Sequence, residues 1–87
     1  MFDTAGFVDG QEFQVQFVTN PEDEYVRNIV KYLGERALSP VPAKFHKAGT
    51  RTMTGAYAKH DTVCVQIDDG MWGGLWPHED GADYIIA

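Results

Sequence analysis

The chain has 87 residues, a formal net charge of -6, 44% apolar residues, 13% aromatic residues and one cysteine. This length holds one core, so 1–87 is read as a single domain that buries roughly 60–65% of its unfolded surface, and its apolar content argues against disorder. The lone Cys64 excludes an internal disulfide, no stretch of 18 apolar residues offers a membrane span, and residues 1–7 lack the basic start and apolar run of a secretion signal, so a cytoplasmic protein is expected.

Residues 2–8 and 11–18 are expected to form a hairpin about Asp9-Gly10, a turn in which Gly takes positive φ at no steric cost. Phe13, Val15 and Phe17 alternate with Glu12, Gln14 and Gln16, the pattern of a half-buried strand. Under a two-residue loop, Phe2 and Val8 share the Phe13 face and Phe7 takes the other. One helix is expected over about 20–37. Asn20 is its N-cap, Pro21 its first residue, and Glu22, Asp23 and Glu24 oppose the positive end of its dipole. Val26, Ile29, Val30, Leu33 and Ala37 make one apolar stripe, and Ser39-Pro40 stops the helix.

Ser39-Pro40-Val41-Pro42 reads as an extended connector. Residues 43–48 show no clear period. Thr50 to Lys59 reads as a strand, with Gly55 marking a bulge or a close approach. Thr62 to Asp68 is a stronger strand, in which Val63, Val65 and Ile67 alternate with Thr62, Cys64, Gln66 and Asp68. Asp69-Gly70 is a turn, residues 71–81 are aromatic and Gly-rich and read as a loop, and Asp83 to Ala87 closes as a short strand. The fold class is α+β: an antiparallel sheet of four to five strands with the helix packed on one face.

Charge is segregated along the chain. Residues 1–26 carry Asp3, Asp9, Glu12, Glu22, Asp23 and Glu24 and no base. Residues 27–59 carry all the bases (Arg27, Lys31, Arg36, Lys44, Lys47, Arg51 and Lys59) and only Glu35 as an acid. Residues 60–87 return to acids alone: Asp61, Asp68, Asp69, Glu79, Asp80 and Asp83. The basic middle either pairs with acidic neighbours or forms a patch of its own. The acidic excess cannot be paired away and is left for partners.

The most unusual stretch is Met71 to Gly81, where Trp72 and Trp76 sit among Gly73, Gly74, Pro77 and acids. One reading turns the indoles inward as core caps; the other makes them exposed anchors, the residue type enriched in binding hot spots. His46, His60 and His78 with Asp61, Glu79 and Asp80 are chemically sufficient for zinc, but no two His share a ligand-pair spacing on one element. Cys64 sits mid-strand, where a thiol fills core rather than attacks. The adjacent carboxylates Asp68-Asp69 and Glu79-Asp80 point different ways, and Gly73-Gly74 lacks a phosphate-binding lysine. No enzyme, cofactor or metal is therefore expected.

The function expected is protein binding. Asp68, Asp69, Trp72, Trp76, Glu79 and Asp80 would meet a basic, nucleic-acid-binding site on a partner protein. Small acidic inhibitors of this size and charge include phage-encoded anti-CRISPR proteins, inhibitors of host machinery and immunity proteins against nuclease toxins. Two alternatives are a nucleic-acid-binding module using residues 27–59, which the net charge of -6 opposes, and a small metal-binding or enzymatic domain.

Overall fold

A computed structural model describes residues 6–49 and 59–87. Five strands and one helix follow in the order β1 (Glu12–Phe17), α1 (Glu24–Leu33), β2 (Val41–His46), β3 (Thr62–Asp68), β4 (Met71–Leu75) and β5 (Tyr84–Ile86). The sheet runs β4-β3-β2-β1-β5 with every neighbouring pair antiparallel. This is the expected α+β architecture, one helix on one face of an antiparallel sheet.

Register decides which residues form the core. Pairing sets Phe13 beside Ala43, Ala43 beside Val65, and Val65 beside Gly73. It likewise sets Phe45 beside Val63 and Val63 beside Leu75. Side chains alternate across a strand, so these residues share the helix-covered face with Val15, Phe17, Val41 and Tyr84. Helix α1 buries Val26, Ile29 and Leu33 against them, as its apolar stripe requires.

The helix is shorter than its sequence signal. Its N-cap is Asp23, not Asn20, and the Asp23 carboxylate accepts from Tyr25 N at 2.8 Å and Val26 N at 3.2 Å. The cause lies at the far end of the chain. The buried Asp83 carboxylate accepts the backbone N–H groups of Glu22 and Asp23 and holds them outside the helix. The α-helix ends at Gly34, whose φ of +59° suits glycine, and a 3-10 turn (Gly34–Leu38) carries Ala37 into the core. Asp83→Ala should lower stability by ~1 kcal/mol, because it removes the acceptor of two part-buried donors. An unshifted denaturation midpoint would show that water serves those donors equally well.

The start of the chain also departs from expectation. The Asp9-Gly10 turn forms, with Gly10 at φ 83° and Gln11 N donating to Val8 O at 3.1 Å. Residues 6–8 are not a strand, and Phe2 lies outside the described residues. Val8 is 65% exposed, whereas Phe7 packs edge-on against Phe13 and Phe45 at centroid distances of 5.2 and 5.5 Å. The face assignments of Val8 and Phe7 are thus reversed.

The end of the segment read as a connector, Val41 and Pro42, and the aperiodic residues after it form β2, the middle strand of the sheet. Backbone bonding explains how it tolerates Pro42. Phe45 bonds toward β1, donating to Gln11 O at 2.9 Å and accepting from Gly10 N at 2.7 Å. Alternation then aims Lys44, His46 and Pro42 at β3. The β2–β3 ladder runs from His46–Thr62 to Ala43–Val65 and stops where Pro42 would have to donate. Two clefts open at this gap, one of about 530 Å³ lined by Leu33, Val41, Ile67 and Asp68, and one of about 450 Å³ lined by Lys44, Gln66 and Trp72; Pro42 borders both. The strand expected over Thr50 to Lys59, with Gly55, falls mainly on residues 50–58, outside the described residues.

Candidate functional site

The stretch 71–75 is strand β4, not a loop. Gly73 faces the helix. A Cβ there would lie 2.5 Å from Ile67 Cδ1 and 3.3 Å from both Ile29 Cδ1 and the Tyr25 hydroxyl. Glycine lets the helix lie close over this strand. The turn at Asp69-Gly70, with Gly70 at φ 75°, joins β3 to β4, and a register shift between Gln66 and Asp68 bends the strand next to it.

β4 separates the predicted site residues into two ends and a middle. Asp68 and Asp69 stand at the β3–β4 turn, both exposed. Asp68 accepts from Asp69 N at 2.8 Å and from the Tyr32 hydroxyl at 2.9 Å, and these bonds hold its carboxyl below the usual range. Trp72 and Trp76 share the helix-free face and are 41% and 36% exposed. Four residues along a strand place them roughly 13 Å apart. Trp76 also meets His60 edge-on at 5.5 Å. Glu79 and Asp80 follow β4 at the opposite end from Asp68 and Asp69. The acids expected around a loop are therefore divided between the two ends of a strand, exposed at Asp68 and Asp69 and half-buried or buried at Asp80 and Glu79.

Glu79 does not reach the surface. It is 7% exposed, and its carboxylate accepts from Trp76 N at 3.2 Å. The Tyr84 hydroxyl donates to Trp76 O at 3.0 Å, so both backbone groups of Trp76 are committed. Burial, then the nearby Asp23 and Asp83, push the Glu79 carboxyl upward, and burial likewise keeps the Tyr84 phenol protonated. Asp80 is half-buried. The sign for Glu79 follows directly. A carboxyl that binds its proton more tightly when folded destabilises the fold once pH rises above the ordinary glutamate range. Glu79→Gln keeps an acceptor for Trp76 N and removes the charge. It should raise the denaturation midpoint at pH 7 and leave it unchanged near pH 3; an equal midpoint at both would show that the charge is fully solvated.

The basic middle is partly consumed within the fold. Arg27 donates to Pro21 O at 3.1 Å and Glu22 O at 2.7 Å. Lys44 lies 3.8 Å from Glu12 and 5.6 Å from the Trp72 ring centroid, so a cation shares the open face with that indole. Cys64 is buried mid-strand. Among the described residues no group of three His, Cys, Asp or Glu is arranged to hold a metal ion. No described helix is long and apolar enough to cross a membrane.

The sequence reading missed the backbone of β4. Val63 and Val65 aim their backbone groups at β4, because Cys64 between them is aimed at Lys44. Gly73 and Leu75 are thus the residues bonded to β3, and Trp72 and Gly74 aim their N–H and C=O groups away from the sheet. Among the described residues β4 has β3 as its single neighbour. The signal was present: a strong strand followed by Asp-Gly announces a partner strand, and Trp72, Gly74 and Trp76 keep its period of two. No protein-family model matches this chain, and no curated protein or solved structure is significantly similar to it.

Proposed function

We propose that this chain is a small acidic, non-enzymatic protein-binding domain that occupies a basic site on a partner protein. The site is of the kind that otherwise holds nucleic acid, as for an anti-CRISPR-type inhibitor, a blocker of host machinery or a nuclease immunity protein. The supporting observation is the exposure of Trp72 and Trp76 on one face of a strand whose turn presents Asp68 and Asp69. Charge speeds the encounter with a basic surface, and desolvated indoles slow separation.

The test is capture from cell lysate with wild-type protein and two variants, Asp68→Lys with Asp69→Lys, and Trp76→Ala. Basic nucleic-acid-binding proteins should be held by wild type and released by both variants. Truncating the anchoring indole should cost ~2 kcal/mol or more in affinity with an unchanged melting curve. Identical capture by all three proteins would overturn the reading. Retention of DNA or RNA by the isolated domain would instead favour a nucleic-acid module built on residues 27–59.

A further inference from the structure

Sheet edges are hazards that proteins usually blunt with charge, proline or a covering segment. The β5 edge is short and partly covered: it has three residues, and Gly81 N donates to Tyr84 O at 2.6 Å along its outer side. β4 is different. Met71-Trp72-Gly73-Gly74-Leu75 contains no charge and no proline. Trp72 and Gly74 each turn an N–H and a C=O outward, as the ladder alternation requires, and among the described residues no strand pairs with them. The next outward residue, Trp76, has both groups satisfied by Glu79 and Tyr84, so the open stretch has a defined end. Tyr25 overlies the strand on the helix side and Trp72 stands on the other, so an incoming strand would meet an aromatic ring with each alternate side chain.

Resting on the protein-binding reading above, we infer that the outer edge of β4 takes an extended segment of the partner, apolar in the middle and basic at both ends, as a sixth strand. Charge selects this occupant over a second copy of the chain. An antiparallel pair of β4 strands centred on Gly73 would bring Asp68 and Asp69 of each copy toward the half-buried Asp80 of the other, between molecules of net charge -6. Like charges at both ends oppose self-pairing and attract Lys and Arg. Main-chain bonds at Trp72 and Gly74 supply affinity, and the alternate side-chain contacts supply preference.

The probe is the capped peptide KKVTVTVRK, added to isotope-labelled protein while amide exchange is followed by NMR. The Trp72 and Gly74 amides should slow markedly, while those of Gly73 and Leu75, already bonded to β3, should change little. The acidic peptide EEVTVTVEE should give no protection. The basic peptide N-methylated at alternate residues keeps its charge but cannot form the ladder, and it too should give none. Gly74→Pro removes one outward donor without touching the β3 pairing, and should weaken the basic peptide about tenfold, the worth of one hydrogen bond. Should that variant disturb the fold, the N-methylated peptide on wild type decides alone. Peptide binding with Trp72 and Gly74 exchanging as in the free protein would overturn edge pairing while leaving the acidic-surface reading intact. Failure of the basic peptide to bind would also overturn it, and the lysate capture would still judge the broader reading separately. Protection that grows with protein concentration and needs no peptide would assign the edge to a second copy and overturn the proposal.

Discussion

Phe45→Ala should remove most of the stability of this domain. Phe45 is 0% exposed on the middle strand, with β1 and β3 on either side and Phe7 edge-on at 5.5 Å. Truncation removes the transfer energy of a ring and leaves a void that the sheet cannot close, because backbone ladders fix the strands on both sides. Phe→Ala at enclosed sites costs ~3–5 kcal/mol, and this site belongs at the upper end. A domain of this size holds roughly 4–13 kcal/mol in total. Chemical denaturation should show the midpoint falling steeply with the slope preserved. A small shift would mean that Phe7 or a neighbour refills the space.

Leu33→Ala should be the milder of two core truncations, despite similar burial. Leu33 is 5% exposed and closes the helix end of the apolar stripe. Unlike Phe45, it lines the open cleft beside Val41 and Ile67. Water can enter the space left behind, and the last helical turn can settle. Its cost should fall at the lower end of the ~2–5 kcal/mol range for Leu→Ala, since that range reflects how well each site relaxes. A loss as large as that of Phe45→Ala would show that the cleft is rigid. Ile29→Ala lies between the two, because Ile29 Cδ1 packs near Gly73, away from the cleft mouth.

The exposure of Trp72 and Trp76 was expected from the sequence, because a Gly-rich stretch does not easily bury two indoles. Their exposure on one face agrees with that reading. Glu79 was not legible. An acid next to Asp80 reads as surface charge, and only the fold reveals that Trp76 N–H needs its carboxylate. The outer edge of β4, unpaired among the described residues, was hidden for another reason. Strand propensity judges side chains, and two glycines score poorly, while the edge is a property of main-chain groups.

What the sequence determined by itself is everything governed by local periodicity and turn chemistry. Those are β3 with its bounds at Thr62 and Asp68, the turns at Asp9-Gly10 and Asp69-Gly70, the closing strand at Tyr84–Ile86, and the stripe of Val26, Ile29 and Leu33. These signals act between residues a few positions apart, and here the distant partners agree with them. The tertiary structure decided the rest. Asp83, sixty residues away, moved the helix start from Asn20 to Asp23 by taking the Glu22 and Asp23 amides. Pro42 became part of a middle strand because register aims its missing donor into the gap beyond Ala43–Val65. Gly73 became a strand residue because Val65 pairs with it, and Ile67 and α1 leave no room there for a side chain. Each outcome depends on which backbone or side-chain group stands opposite, and the chain order alone leaves that open.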